Sequence, residues 1–177
     1  MMSSLKIFLG SPYRALKQFG NMSDDKNTGA ATVERLAGRD LNQDGQVINL
    51  VICGNSRFYD YQWLEEQLEQ WITKHGHPDL IIIGGASGVD YLVERWANNY
   101  AIPMAIFSEA WNEPRKGLQD TGRPEASPTL GDKMLERATH VIAFPGPNSK
   151  WTTIMIKRAR EKGLDAVEIP TPPEGEE

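Results

Sequence analysis

The sequence predicts a doubly wound α/β fold, in which a mainly parallel five-stranded sheet carries helices on both faces. Short apolar runs alternate five times with segments whose apolar residues recur every three or four positions. The runs are apolar throughout, as parallel strands covered by helices on both faces must be. This alternation extends over residues 47–169 and indicates a Rossmann-like sheet.

The predicted strands and helices follow one another closely along the chain. The predicted strands are residues 47–53, 79–83, 103–107, 140–144 and 165–169. The predicted helices are residues 61–74, 88–100 and 151–162, with a shorter helix around residues 130–138. In the helix at 88–100, apolar residues recur at i, i+3, i+4, i+7, i+8 and i+11. That spacing gives a stripe wide enough to pack on a sheet.

The two ends of the chain differ from this regular middle. Residues 1–46 are expected to form an N-terminal extension or linker, because the segment 20–46 is rich in Gly, Asn, Asp, Ser and Thr and lacks sustained periodicity. We expect this segment to pack loosely. Residues 170–177, PTPPEGEE, cannot continue a helix or a central strand, which predicts a flexible tail. A domain at residues 47–169 lies between them.

Composition limits the classes of partner. The formal net charge of −5 and the sequence pI near 5.3 argue against binding along a nucleic-acid backbone, which usually needs a basic face. The single cysteine, Cys53, excludes an intramolecular disulfide and argues against a cysteine-based metal site. No apolar run approaches the roughly 20 residues of a membrane span. We therefore expect a cytoplasmic protein without metal, cofactor or membrane partner. The sequence does not decide whether the protein forms a homo-oligomer.

The stretch LIIIGGASGVDYLVERWA, residues 80–97, is the most informative. A buried strand ends in Gly84 and Gly85 where a helix begins, so a ligand can approach the main chain closely. The first turn of a helix offers N–H groups and a positive dipole end, which together suit phosphate. By spacing alone this evidence is weak, because GGASGVD is neither a P-loop nor a GxGxxG fingerprint. The glycines could simply make a tight turn.

Two side chains in this stretch have alternative roles. Ser87 is the predicted N-cap of the helix, and Asp90 could reach back in the manner of a capping box. The Asp90 carboxylate could instead hold a ribose hydroxyl, and both roles can hold at once. In a doubly wound sheet the ligand crevice lies at the carboxyl ends of the strands. Residues 54–57, 108–111 and 145–149 also follow predicted strands and are expected near the same crevice.

The order of these motifs resembles the YspA-type domains of the SLOG superfamily. The matching motifs are G-x-S-R at residues 54–57, G-G-A-x-G-x-D at residues 84–90, F-x-x-A-W at residues 107–111 and A-F-P-G at residues 143–146. The superfamily includes lonely-guy phosphoribohydrolases and the DNA-processing protein DprA. The resemblance covers residues 47–169 and implies a nucleotide or a nucleotide-derived ligand, such as an ADP-ribose relative. It also implies pocket positions for Gly84, Gly85, Gly88, Asp90, Pro145 and Gly146.

The sequence departs from the family pattern at two strand ends. Where the family has G-S-R-D, this chain has Asn55 and Ser56, with Arg57 one position later. The family's P-G-G-x-G-T is replaced by PGPNSKWT, and Pro147 lacks one backbone donor for phosphate. Part of the lost capacity to bind phosphate could be replaced by the side chains of Ser149, Lys150 and Thr152.

The enzymatic alternative lacks its expected carboxylate. Lonely-guy phosphoribohydrolases place a Glu shortly after P-G-G-x-G-T. Here no acidic residue follows the corresponding segment until Glu161, about three turns into the predicted helix, too far from the strand end to act there. Catalytic residues therefore remain unassigned.

The sequence favours a module that binds a nucleotide or a nucleotide-derived signalling ligand without turning it over. An N-glycosidic-bond hydrolase or transferase is the alternative. DprA-like binding of single-stranded DNA is a further alternative, and it fits poorly with the net charge. Trp111 could stack on a base or pack beneath the long polar loop. The predicted ligand-binding residues are Gly54, Asn55, Ser56, Arg57, Gly84, Gly85, Ala86, Ser87, Gly88, Asp90, Trp111, Pro145, Gly146, Ser149, Lys150 and Thr152.

Overall fold

The computed structural model describes residues 28–107, 124–125 and 128–173. The described residues contain one five-stranded sheet whose strand order is β3-β2-β1-β4-β5. Every neighbouring pair is parallel. The strands are β1 (Asn49–Gly54), β2 (Leu80–Ile83), β3 (Met104–Ile106), β4 (His140–Phe144) and β5 (Asp165–Glu168). The predicted doubly wound α/β fold is confirmed.

Helices cover both faces of this sheet. They are α1 (Gly29–Leu36), α2 (Tyr61–His75), α3 (Val89–Asn99), α4 (Pro128–Leu135) and α5 (Lys150–Glu161). Side chains of α2 and α3 form one apolar cluster with the sheet, and side chains of α1, α4 and α5 form the other. Successive residues of β1 alternate between the two clusters, as the pleat of a strand requires. No helix of the described ranges is long and apolar enough to cross a membrane.

The elements predicted for residues 47–169 are present, with ends that shift by at most three residues. Strand β1 extends to Gly54 because this residue pairs with Phe144 of β4. Helix α3 begins one residue later than predicted, at Val89, because Gly88 before it has a φ of +69° that a helix does not use. Both shifts arise from contacts that periodicity along the chain does not encode.

The prediction that residues 20–46 pack loosely was wrong for the part that the structure describes. Helix α1 packs against the sheet, and Leu36 is 4% exposed. A Cβ atom on Gly29 would lie 2.7 Å from the Phe107 ring, so the helix touches the end of β3 directly. The Thr28 hydroxyl caps α1 by accepting from the Ala31 N–H at 3.1 Å. The buried residues of α1 do follow a helical spacing, but over only eight residues. The domain boundaries stay a prediction.

Asp79 binds the loop before β1 through hydrogen bonds at the amino-terminal edge of the sheet. The residue is 1% exposed. Its carboxylate accepts from the Ile48 N–H at 2.8 Å and from the Asn42 N–H at 2.9 Å. Burial raises the pKa of this carboxyl, an effect that outweighs the two hydrogen bonds.

We expect Asp79→Asn to destabilise the protein by about 1–3 kcal/mol, because one buried backbone N–H then faces an amide NH₂ group. The difference in free energy of unfolding between the wild type and Asp79→Asn should shrink as pH rises from the usual carboxyl pKa of 3.8 through the raised pKa. The folded state binds the Asp79 proton more tightly than the unfolded chain does, so this stabilisation is present at low pH and lost above the raised pKa.

Urea unfolding of both proteins at acidic and neutral pH measures this difference, with the exposed Glu161→Gln as the matched control. A gap between wild type and Asp79→Asn that widens toward neutral pH would contradict the assignment.

Candidate functional site

The strand order predicts a ligand crevice between the carboxyl ends of β1 and β4. Strands β2 and β3 lie on one side of this pair and β5 lies on the other, so the chain changes direction here. In open α/β sheets the ligand crevice lies at such a switch point, beyond the carboxyl ends of the strands. We call the three loops that meet there, residues 54–57, 84–88 and 145–149, the crevice loops.

Asn55 joins the crevice loops to one another. Its N–H donates to the Phe144 carbonyl at 2.9 Å, and its own carbonyl accepts from the Val89 N–H at 3.0 Å. Its side-chain Oδ1 accepts from the Arg57 N–H at 3.0 Å, while Nδ2 donates to Thr171 Oγ1 at 3.2 Å. One buried residue thereby connects the ends of β1 and β4, the start of α3 and the segment after β5.

Glycines allow the loops to approach Asn55 closely. A Cβ atom on Gly88 would collide with the Asn55 carbonyl oxygen, and one on Gly146 would collide with its side-chain amide. A Cβ atom on Gly54 would lie 2.6 Å from the Phe144 carbonyl oxygen. Contacts within the chain are therefore sufficient to require glycine at these three positions. For Gly88 this agrees with the alternative that the glycines of residues 84–88 simply make a tight turn.

The Asp90 carboxylate lies inside the loop that follows β2. Asp90 is 3% exposed, and its Oδ2 accepts from the N–H groups of Gly84 (3.2 Å) and Ala86 (3.1 Å). The prediction of Ser87 as N-cap was wrong: Gly88 occupies that position, and no side chain caps the helix there. The positive φ of Gly88 turns the chain so that Ser87 is buried. Asp90 does reach back, but to the loop.

A second carboxylate lies at the start of α5, and the sequence analysis missed it. Glu125 Oε1 accepts from the Thr152 N–H at 3.1 Å and from the Thr152 hydroxyl at 2.8 Å. Thr152 is 1% exposed. The Ser149 hydroxyl accepts from the Gly146 N–H at 2.8 Å. Both hydroxyls expected to contact phosphate are therefore engaged within the chain.

The two basic side chains of the predicted site lie at the rim of the crevice. Arg57 and Lys150 are both exposed. Lys150 Nζ lies 5.0 Å from the centroid of the Trp151 ring, within the range of a cation–π contact. Trp111, the predicted stacking residue, lies outside the described residues. The remaining predicted residues of the crevice loops are buried, except for the half-buried Ser56 and Gly146.

The thiol of Cys53 is affected by both carboxylates. Cys53 is buried at the end of β1, immediately before the crevice. Burial raises the pKa of this thiol well above its usual range, and the negative charges of Asp90 and Glu125 raise it further. Both carboxylates are therefore close enough to the end of β1 to act on the same buried thiol.

Carboxylates also gather at the opposite edge of the sheet. Asp40, Asp44 and Asp79 each place one oxygen within 4.8 Å of the other two. Backbone N–H groups already explain this arrangement, since Asp40 accepts from Asp44 and Gly45 and Asp79 accepts as described above. Among the described residues, these three carboxylates are close enough together to bind a metal ion.

We expect Thr171→Val to lower the free energy of unfolding by about 1–3 kcal/mol, because the buried Asn55 amide loses its acceptor. Thr73→Val makes the same chemical change at an exposed position of α2 and should stay within about 0.5 kcal/mol of wild type. Denaturant unfolding measures both. Equal effects of the two substitutions would show that the segment after β5 is the flexible tail that the sequence predicts.

Comparison with known proteins finds similarity to one family over part of the chain. Residues 48–113 match the model of the family YAcAr, described as the YspA, cpYpsA-related SLOG family. No curated protein and no solved structure matches the chain. The matched residues include two of the three crevice loops, residues 54–57 and 84–88. The resemblance predicted from the motifs is thus confirmed over residues 48–113, which are similar to the YspA-type branch of the SLOG superfamily.

Proposed function

We propose that this protein binds a nucleotide or a nucleotide-derived signalling ligand in the crevice between the ends of β1, β2 and β4. The observation that supports the proposal most strongly is the joining of the three crevice loops around Asn55 at the switch point of the sheet. Membership of the SLOG superfamily supports a nucleotide-related ligand, whether bound or modified.

The distribution of charge supports a particular orientation of such a ligand. Asp90 accepts hydrogen bonds from the loop after β2, and Glu125 accepts them from the first turn of α5. Carboxylate oxygens in these positions can also accept hydrogen bonds from sugar hydroxyls. Arg57 and Lys150 are exposed at the rim of the crevice, where they can meet a phosphate group without leaving water. We therefore place the sugar of the ligand inside the crevice and its phosphate at the rim.

Glu125 favours a second candidate function, hydrolysis or transfer at an N-glycosidic bond. The sequence motif lacks the glutamate that a phosphoribohydrolase needs near the start of this helix. Glu125 brings a carboxylate to the first turn of α5 from a different segment of the chain. A carboxylate beside a ribose can act as a general base toward water. Binding without turnover remains the first proposal, and both functions use the same crevice.

We expect a panel of nucleosides, nucleoside monophosphates and diphosphates, and ADP-ribose to include a ligand that raises the melting temperature. A ligand present at about 100 times its Kd stabilises the folded state by about 2.7 kcal/mol. Thermal unfolding and mass spectrometry of the recovered ligand are measured on the same samples. An intact ligand supports binding, whereas a released base supports the second candidate. No stabilisation by any member of the panel would contradict the proposed function.

We expect Arg57→Ala and Lys150→Ala each to weaken a phosphate-bearing ligand by about ten- to a hundredfold, because each removes a charged contact worth about 1.5–3 kcal/mol. Both side chains are exposed, so the fold should be unaffected. Calorimetric titration measures the affinity, and Lys157→Ala, an exposed position about two turns into α5, is the matched control. Wild-type affinity in both rim variants would place the phosphate elsewhere.

A further inference from the structure

We infer that Asp90 and Glu125 exclude phosphate from the interior of the crevice, so that the interior accepts only the uncharged nucleoside part of the ligand. This inference rests on the proposed function and specifies which chemical groups of the ligand enter. It reverses the expectation from the glycine-rich motif, in which backbone N–H groups would hold the phosphate.

The first step is the use of backbone donors in the loop after β2. The N–H groups of Gly84 and Ala86 both donate to Asp90 Oδ2. The first N–H group of α3, on Val89, donates to the Asn55 carbonyl. A phosphate at this turn would have to displace a buried carboxylate of the protein, together with the hydrogen bonds that hold the loop.

The second step is the equivalent arrangement at the start of α5. The Thr152 N–H and hydroxyl donate to Glu125, and the Gly146 N–H donates to Ser149 Oγ. Glu125 therefore occupies the favourable position for an anion at the amino end of this helix. A phosphate that entered here would meet a carboxylate rather than an open set of donors.

The third step is electrostatic. The two carboxylates act on the same buried Cys53 thiol, so their negative potentials overlap at the end of β1. A phosphate dianion brought to this point would be repelled by both, and screening is weak because Asp90 and Cys53 are buried. Hydroxyl and amine groups, in contrast, donate to carboxylate oxygens, and such hydrogen bonds to a charged acceptor are strong. The interior is thus suited to a ribose or to an amino-bearing base.

The variant Glu125→Gln tests the effect of the negative charge of this residue while keeping its hydrogen bonds. The glutamine amide oxygen can still accept from both Thr152 donors, while the negative charge is removed. The exposed Glu136→Gln, after α4, is the matched control. The probes are inorganic phosphate, the four common ribonucleosides and their 5′-monophosphates, titrated calorimetrically into the wild type and both variants.

We expect the wild type to bind its preferred nucleoside and to show no binding of millimolar inorganic phosphate. In Glu125→Gln the affinity for inorganic phosphate and for the monophosphate should rise about tenfold relative to the nucleoside, whereas Glu136→Gln should behave as the wild type. A wild type that binds inorganic phosphate with the same affinity as Glu125→Gln would overturn the inference.

Failure of the inference and failure of the proposed function give different results. If the wild type binds neither nucleosides nor monophosphates, the proposed function fails. If it binds them, but Glu125→Gln leaves the ratio of nucleoside to monophosphate affinity unchanged, the inference alone fails. Should Glu125→Gln not fold, the wild type and the two rim variants decide, because inorganic phosphate that binds the wild type, Arg57→Ala and Lys150→Ala equally would lie away from the rim and contradict exclusion.

Discussion

The hydrogen bonds of Asn55 are the constraint on which the rest of the crevice depends. Four groups of this one residue connect the ends of β1 and β4, the first residue of α3 and the segment after β5. Because these partners come from distant parts of the chain, each loop is held by the other two. The glycines that surround Asn55 follow from the same constraint, since a Cβ atom at Gly88 or Gly146 would occupy the space of its amide or carbonyl.

Carboxylates of the chain itself explain how a motif suited to phosphate could instead favour ligand groups that donate hydrogen bonds. A strand, a glycine-rich turn and a helix provide N–H groups that attract an anion. In this protein Asp90 and Glu125 accept hydrogen bonds at two such turns. The same backbone geometry can therefore present acceptors, rather than donors, to a ligand. The side chains that fill the turns decide the chemistry of the crevice, and the fold alone does not.

The sequence predicted the sheet well, because its strands and main helices have clear periodicity. The apolar stripe of α3 is one example, since all of its predicted positions except the exposed Tyr100 pack on the sheet. Helix α1 was missed because it has only eight residues, so the helical spacing of its buried residues extends over just two turns of a largely polar segment. The cap at Gly88 was missed because it depends on a positive φ. Glu125 could not be predicted, since it meets Thr152 from 27 residues away.

The most direct test of the crevice is hydrogen–deuterium exchange with and without a nucleoside or nucleotide that stabilises the protein. Ligand contact should slow exchange of the backbone amides in residues 54–57, 84–88 and 145–149 together, because these loops are joined through Asn55. The amino-terminal edge of the sheet, which includes residues 40–46, should exchange at the same rate in both states. Protection confined to that edge, with unchanged crevice loops, would contradict the account.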